Sequence, residues 1–125
     1  MSAIRTLLVD DEPDIRMVMR WAIEADDGDV SVVGEACDGM SGVSAVAELE
    51  PSVVVLDVKM PHLDGLETAS RMLAMQPGIA IILCSSYYDV GMRRAAFAMG
   101  VRECVSKTDL VEIPDVIRRV AGAAA

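Results

Sequence analysis

Val53-Val54-Val55-Leu56-Asp57-Val58-Lys59-Met60-Pro61 places four apolar residues, three of them β-branched, directly before an acid. A short apolar run without polar alternation is what a strand buried on both faces requires, as in a parallel sheet covered by helices. Asp57 then marks the carboxyl end of that strand, and Pro61 stiffens the loop after it.

Outward from this stretch, the same arrangement recurs. Leu7-Leu8-Val9 runs into Asp10-Asp11, Ile79-Ala80-Ile81-Ile82-Leu83 leads to Ser85, and Cys104-Val105-Ser106 ends at Lys107. The pattern predicts strands at 5–10, 30–36, 53–57, 79–84 and 103–106, with helices at 13–25, 39–49, 65–75, 89–99 and 110–122. The last helix repeats Ile113, Val116, Ile117 and Val120 at helical spacing, and the first offers Ile15, Val18, Met19 and Ala22. Asp89 suits an N-cap and Asp64 or Gly65 a helix start, while Pro51, Pro77-Gly78 and Gly100 punctuate helix ends. Strands alternating with helices imply right-handed βαβ units, a parallel sheet and an α/β fold. Ligands of such open sheets bind outside the carboxyl ends of the strands. Three carboxylates, a hydroxyl and an ammonium are therefore expected to converge there.

The bulk numbers agree with this reading. A chain of 125 residues predicts one domain over 1–125, with its core at about 4–122 and 121–125 as a tail or the start of a linker. That length buries roughly two-thirds of the unfolded surface. Hydrophobic content of 53% and charged content of 25% indicate a globular chain. A net charge of −9 disfavours nucleic acid as a direct partner, because phosphate backbones need a basic face. It suits a divalent cation and basic protein surfaces. No apolar run has the length of a membrane span, and residues 1–9 lack the features of a secretory signal. Cys37, Cys84 and Cys104 are odd in number and lack zinc-site spacing, so three buried, reduced thiols are expected. A cytoplasmic location follows from that thiol chemistry. Cys84 and Cys104 could also be neighbours on adjacent strands, which leaves a redox role open.

The chain has nine arginines and only two lysines, Lys59 and Lys107, both in the candidate site segments. Lysine is a compact point charge on a flexible stem, unlike the planar arginine fork. Asp10 and Asp11 are a candidate pair for a hard divalent cation of the Mg2+ type, held by carboxylates, carbonyls and water. Glu12, next in line, reads as a solvated acid capping the first helix. Asp57 is either a strand-end cap or a carboxylate nucleophile for phosphoryl transfer. A cation, Lys107 and a hydroxyl such as Ser85 or Ser86 would neutralise charge on the phosphoryl oxygens. His62, the sole histidine, reads as a loop residue.

In this order, Asp10-Asp11, then Asp57-Val58-Lys59-Met60-Pro61 with Asp64-Gly65, then Ser85-Ser86, then Lys107, the chain resembles the receiver domain of bacterial two-component response regulators. The resemblance covers about residues 4–122. It implies a doubly wound, flavodoxin-like (βα)5 fold with a five-stranded parallel sheet in the order 2-1-3-4-5. It further implies that Asp57 is the phosphoacceptor, served by a histidine kinase. Asp10 and Asp11 would hold Mg2+ together with Asp57 and the backbone carbonyl of Lys59. Ser85 would be the switch hydroxyl and Lys107 its partner at the phosphoryl group. The face formed by helix four, strand five and helix five would change on phosphorylation and control an output domain, a partner or a homodimer.

The sequence departs from the family pattern at two places. Cys104 stands where an aromatic residue commonly couples to the switch hydroxyl; Tyr87 or Tyr88 is the candidate substitute, the alternative being a surface loop with two tyrosines. Lys107-Thr108-Asp109 replaces the common lysine-proline step and looks like receivers of LuxR-type helix-turn-helix regulators. A C-terminal DNA-binding output domain missing from this chain, and a role in transcription regulation, are thereby implied. Lys59 and Tyr87 occupy positions that tune acyl-phosphate hydrolysis in the family, and both are bulky. Two alternatives stand beside this reading. One is a phosphatase with Asp57 as nucleophile, disfavoured because Lys59 occupies the place of its acid/base. The other is a receiver-shaped interaction module that works without phosphorylation.

Overall fold

The computed structural model describes residues 3–26, 28–60, 63–86 and 89–124. Strands β1 (Ile4–Val9), β2 (Val30–Ala36), β3 (Val53–Asp57), β4 (Ala80–Ser85) and β5 (Glu103–Ser106) alternate with helices α1 (Pro13–Ala25), α2 (Gly39–Leu49), α3 (Gly65–Met75), α4 (Val90–Met99) and α5 (Ile113–Ala124). The sheet is parallel throughout, in the order β2-β1-β3-β4-β5. The expected fold and strand order are thus observed, with strand bounds within one residue.

Alternation along each strand sorts side chains to two cores. Leu7, Val9, Val54, Leu56, Ile81 and Leu83 face one side, where they meet Val46 of α2, Ala69 and Met72 of α3 and Ala96 of α4. Leu8, Val53, Val55, Ala80, Ile82 and Cys84 face the other, against Met19 and Ile23 of α1 and the Ile113, Val116, Ile117 and Val120 stripe of α5. All five β3 residues are buried, which is why its sequence shows no alternation.

Three helices start where the sequence supplies a cap. Asp38, Asp64 and Asp89 each accept a hydrogen bond from a backbone N–H three residues on, at 2.8, 2.9 and 3.1 Å. Gly100 ends α4 at φ +117°, a left-handed conformation that glycine adopts without a Cβ clash.

Two helices differ from expectation. In α1 the buried residues are Met19 and Ile23, with Ile15 partly buried, while Val18 is exposed. The core stripe therefore runs at four-residue steps and leaves Val18 outside it. The last helix begins at Ile113, and 107–112 form a 3-10 helix instead. Pro114 has no N–H and is tolerated only in the first helical turn, so the α-helix cannot begin at 110.

Candidate functional site

The strand order reverses at β1 and β3, which opens a crevice at their carboxyl ends. Asp10 follows β1 and is fully buried; Asp57 closes β3 at 3% exposure; Ser85 closes β4; Lys107 follows β5. Parallel pairing at matched register delivers all four to one edge. Lys107 Nζ lies 3.1 Å from Asp10 Oδ2, 3.1 Å from Asp57 Oδ1 and 3.3 Å from Glu12 Oε1. Glu12, Asp57, Lys59, Ser85, Ser86 and Lys107 line one cavity of about 120 Å³. The structure thus brings together Asp10, Asp57 and Lys107 at ion-pair distance, with Ser85 and Lys59 on the wall beside them.

Asp11 is exposed at the rim. Carboxylate oxygens of Asp10, Asp11 and Glu12 all lie within 4.8 Å of one another. Glu12 reaches both this group and Lys107, although its sequence context suggested only a solvated cap, and it makes no side-chain cap to α1. Three acids in a row after a buried strand were the signal. Arg16 is a second residue that the sequence reading did not single out: its guanidinium donates to the Asp10 carbonyl.

The electrostatics leave the two buried acids short of positive charge. Burial raises the Asp10 carboxyl, against the lowering influence of the Glu12 N–H and Lys107. Asp57 is pushed up to about 6, first by burial and then by the Asp10 charge. Lys107 is raised: its two carboxylate partners outweigh the burial that acts against its charge. One ammonium does not satisfy the whole group. Asp10 Oδ2 and Asp57 Oδ2 are buried and lack a hydrogen-bond donor among the described residues; Lys107 meets the former at ion-pair distance only. Buried carboxylate oxygens without donors, with a third carboxylate at the rim, match the oxygen donor set of a hard divalent cation. The residues present therefore fit Mg2+.

The other expectations fall as follows. Tyr87, Tyr88, Pro61 and His62 lie outside the described residues. Cys104 is half-buried and lines a small cavity with Val58, Leu83, Ser85, Met92, Arg93 and Val105. It therefore shares a cavity with Ser85. A Cys84–Cys104 pairing is ruled out by register. Cys104 pairs with Leu83 and Cys84 with Val105, so the two thiols point to opposite faces of the sheet. Cys84 is buried and its thiol is pushed up to about 12, mainly by burial. Cys37 is exposed, contrary to expectation, because β2 ends at Ala36 just before it. No helix among the described residues is long and apolar enough to cross a membrane.

The sequence and the 2-1-3-4-5 sheet have counterparts among known proteins. The profile of the response regulator receiver domain family matches residues 6–118. The chemotaxis protein CheY of Listeria monocytogenes is 33% identical over 104 residues, covering 83% of this chain and 86% of the relative. A protein-glutamate methylesterase/protein-glutamine glutaminase of Agrobacterium fabrum is 37% identical over 110 residues, 86% of this chain but 31% of that protein. This chain thus spans about a third of that relative. A LuxR-family two-component response regulator from Aurantimonas sp. superposes with a TM-score of 0.90 at 27% identity, covering 98% of this chain and 87% of the other. The chain belongs to the response regulator receiver domain family.

Proposed function

We propose that the chain is a phosphorylation-dependent switch in which Asp57 accepts a phosphoryl group from a histidine kinase phosphohistidine. The observation that carries this reading is the placement of Lys107 Nζ at 3.1 Å from Asp57 Oδ1 at the buried end of β3. An ionised Asp57 needs no general base: a carboxylate oxygen attacks phosphorus, the P–N bond breaks, and its electron pair leaves with the imidazole. The product is an acyl phosphate on Asp57. Asp10, Asp11, Asp57 and the Lys59 carbonyl would hold Mg2+, which would supply charge neutralisation at the phosphoryl oxygens. Lys107 shifts from carboxylates to the phosphoryl group, and the Ser85 hydroxyl donates to one of its oxygens.

The readout runs through the α4, β5 and α5 face. Val90, Phe97 and Met99 are exposed on or at the end of α4, and the Arg93 guanidinium lies 5.4 Å from the centre of the Phe97 ring. An apolar surface of this kind suits a partner, a homodimer or an output domain. The LuxR-family likeness supports a DNA-binding output domain and transcription regulation. A cytoplasmic location, where histidine kinases present their phosphohistidine, goes with this reading.

Incubation with Mg2+ and acetyl phosphate, followed by intact mass measurement, tests it. The expected result is a single phosphoryl adduct that requires Mg2+ and disappears in Asp57→Asn. Rapid multiple turnover would favour the phosphatase, and no adduct would favour a module that acts without phosphorylation.

A further inference from the structure

Asp10 is gripped at every backbone polar group. Its N–H donates to the Ala36 carbonyl of β2 at 3.1 Å, and its own carbonyl accepts from Arg16 Nη1. Its Oδ1 accepts from the Glu12 N–H at 2.9 Å. With those three points fixed, only Oδ2 is left to face the crevice, where Lys107 Nζ meets it at 3.1 Å and no hydrogen bond satisfies it among the described residues.

Arg16 is itself held. Its Nε donates to Glu35 Oε1 at 3.0 Å. The other oxygen, Glu35 Oε2, accepts from Arg20 Nε at 2.8 Å and Arg20 Nη2 at 2.6 Å. Glu35 immediately precedes Ala36, so the end of β2 holds Asp10 twice: directly through a carbonyl and indirectly through Glu35 and Arg16. The Arg16 side chain is only 16% exposed, and its fork has a fixed orientation.

The loop between β1 and α1 is three residues long and carries three acids. Mutual repulsion favours turning those carboxylates apart towards solvent. A clamp on the Asp10 carbonyl opposes this, because it fixes the Asp10–Asp11 peptide from which both carboxylates project. We infer that Arg16, held by Glu35, is a positioning residue that pre-sets the Asp10-Asp11 carboxylates for the cation. This rests on the proposed role of Asp10 and Asp11 as Mg2+ ligands. Groups that hold a metal's ligands in place typically change its affinity by about 10–100-fold.

Mg2+ titration of the unphosphorylated full chain by calorimetry tests the inference, with the Mg2+ dependence of acetyl phosphate labelling as a second readout. Arg16→Ala should weaken Mg2+ binding by about tenfold. It should raise the Mg2+ needed for half-maximal labelling, while labelling at saturating Mg2+ returns close to the wild-type rate. Arg20→Ala removes a comparable surface ion pair but leaves the Asp10 carbonyl contact, and should leave Mg2+ affinity near wild type. Arg16→Met, which keeps the aliphatic stem without the donors, replaces Arg16→Ala with the same expectations if the latter fails to fold. A lowered melting temperature with unchanged Mg2+ affinity would overturn the inference, as would equal loss of affinity in the Arg16 and Arg20 variants. Wild-type protein that neither binds Mg2+ nor takes up phosphoryl would instead overturn the proposed function itself.

Discussion

Lys107 Nζ stands 3.1 Å from Asp57 Oδ1 and 3.1 Å from Asp10 Oδ2, so one ammonium is shared between two buried carboxylates. The pair of acids is therefore under-neutralised in the metal-free protein. A cation that neutralised both acids would raise stability by removing that deficit.

Removal of the ammonium exposes the deficit directly. Lys107→Met should destabilise the Mg2+-free protein by roughly 3 kcal/mol, the scale for breaking a buried ion pair by deleting one partner. Urea denaturation with and without Mg2+ checks this. Millimolar Mg2+ should recover most of the loss, because the ion binds the folded state alone. A loss that Mg2+ leaves untouched would point to packing rather than charge.

Removing one acid should have the opposite sign. Asp57→Asn deletes a buried charge while Lys107 keeps Asp10 and Glu12 as partners. A gain of about 1–3 kcal/mol in the Mg2+-free protein is expected, because burial and the Asp10 charge push the Asp57 carboxyl up to about 6. The same variant should lose most of the stabilisation that Mg2+ gives the wild type. Thermal melts of the two proteins side by side measure both effects.

The pH dependence follows from the same group. The Asp57 carboxyl is raised from 3.8 to about 6, so the folded chain binds its proton more tightly than the unfolded chain. Its contribution to stability is then fully present below about pH 4 and is lost as pH rises through about 6. Asp10 is shifted in the same direction. Mg2+-free wild type should therefore lose stability across that window relative to Asp57→Asn. Saturating Mg2+ should flatten the difference, since it favours the ionised carboxylates. A melting temperature that rises relative to Asp57→Asn between pH 4 and 6 would contradict the assignment.

Gly65 ties the start of α3 to the end of β3. A Cβ there would meet the Asp57 carbonyl at 2.4 Å and Val58 Cα at 2.7 Å, both backbone atoms that cannot swing aside. Gly65 N–H also donates to the Val58 carbonyl at 2.8 Å. Gly65→Ala should cost about 1–3 kcal/mol as an overpacking change. It should also displace Asp57 enough to slow labelling by acetyl phosphate at saturating Mg2+. Normal stability with normal labelling would show that the contact is dispensable.

Lys59 lines the cavity over Asp57. Its side chain should hinder water from reaching the acyl phosphate, so Lys59→Ala should speed dephosphorylation several-fold, a barrier change of about 1 kcal/mol. Tyr87→Ala should act in the same direction. The decay of the phosphoryl adduct, followed by mass after removal of the phosphodonor, decides this. An unchanged rate in both variants would remove their role as a gate.

Much of the architecture was legible because local rules and global fold agree here. Val53-Val54-Val55-Leu56 is apolar because both sheet faces are covered, and the stripe of Ile113, Val116, Ile117 and Val120 packs on the sheet as its period requires. Asp89 was a recognisable cap and Asp64 or Gly65 a recognisable start of α3, since helix starts depend on a few consecutive residues. The α1 stripe was misplaced by one position at Val18, because a helical period allows neighbouring faces and only packing against β-strands chooses between them. Pro114 held the start of α5 later than periodicity implied.

What the sequence determined by itself was the order of chemical groups at strand ends: Asp10 and Asp11, Asp57, Ser85, Lys107. Their type and spacing depend on short segments whose conformation is set locally. Only the tertiary structure decided their pairing. That Lys107 serves both Asp10 and Asp57, that Cys84 and Cys104 face away from each other, and that Arg16 reaches the Asp10 carbonyl from α1 with Glu35 behind it all depend on strand order and register. Those are relations between residues tens of positions apart, fixed by how the sheet is assembled and its two cores are packed.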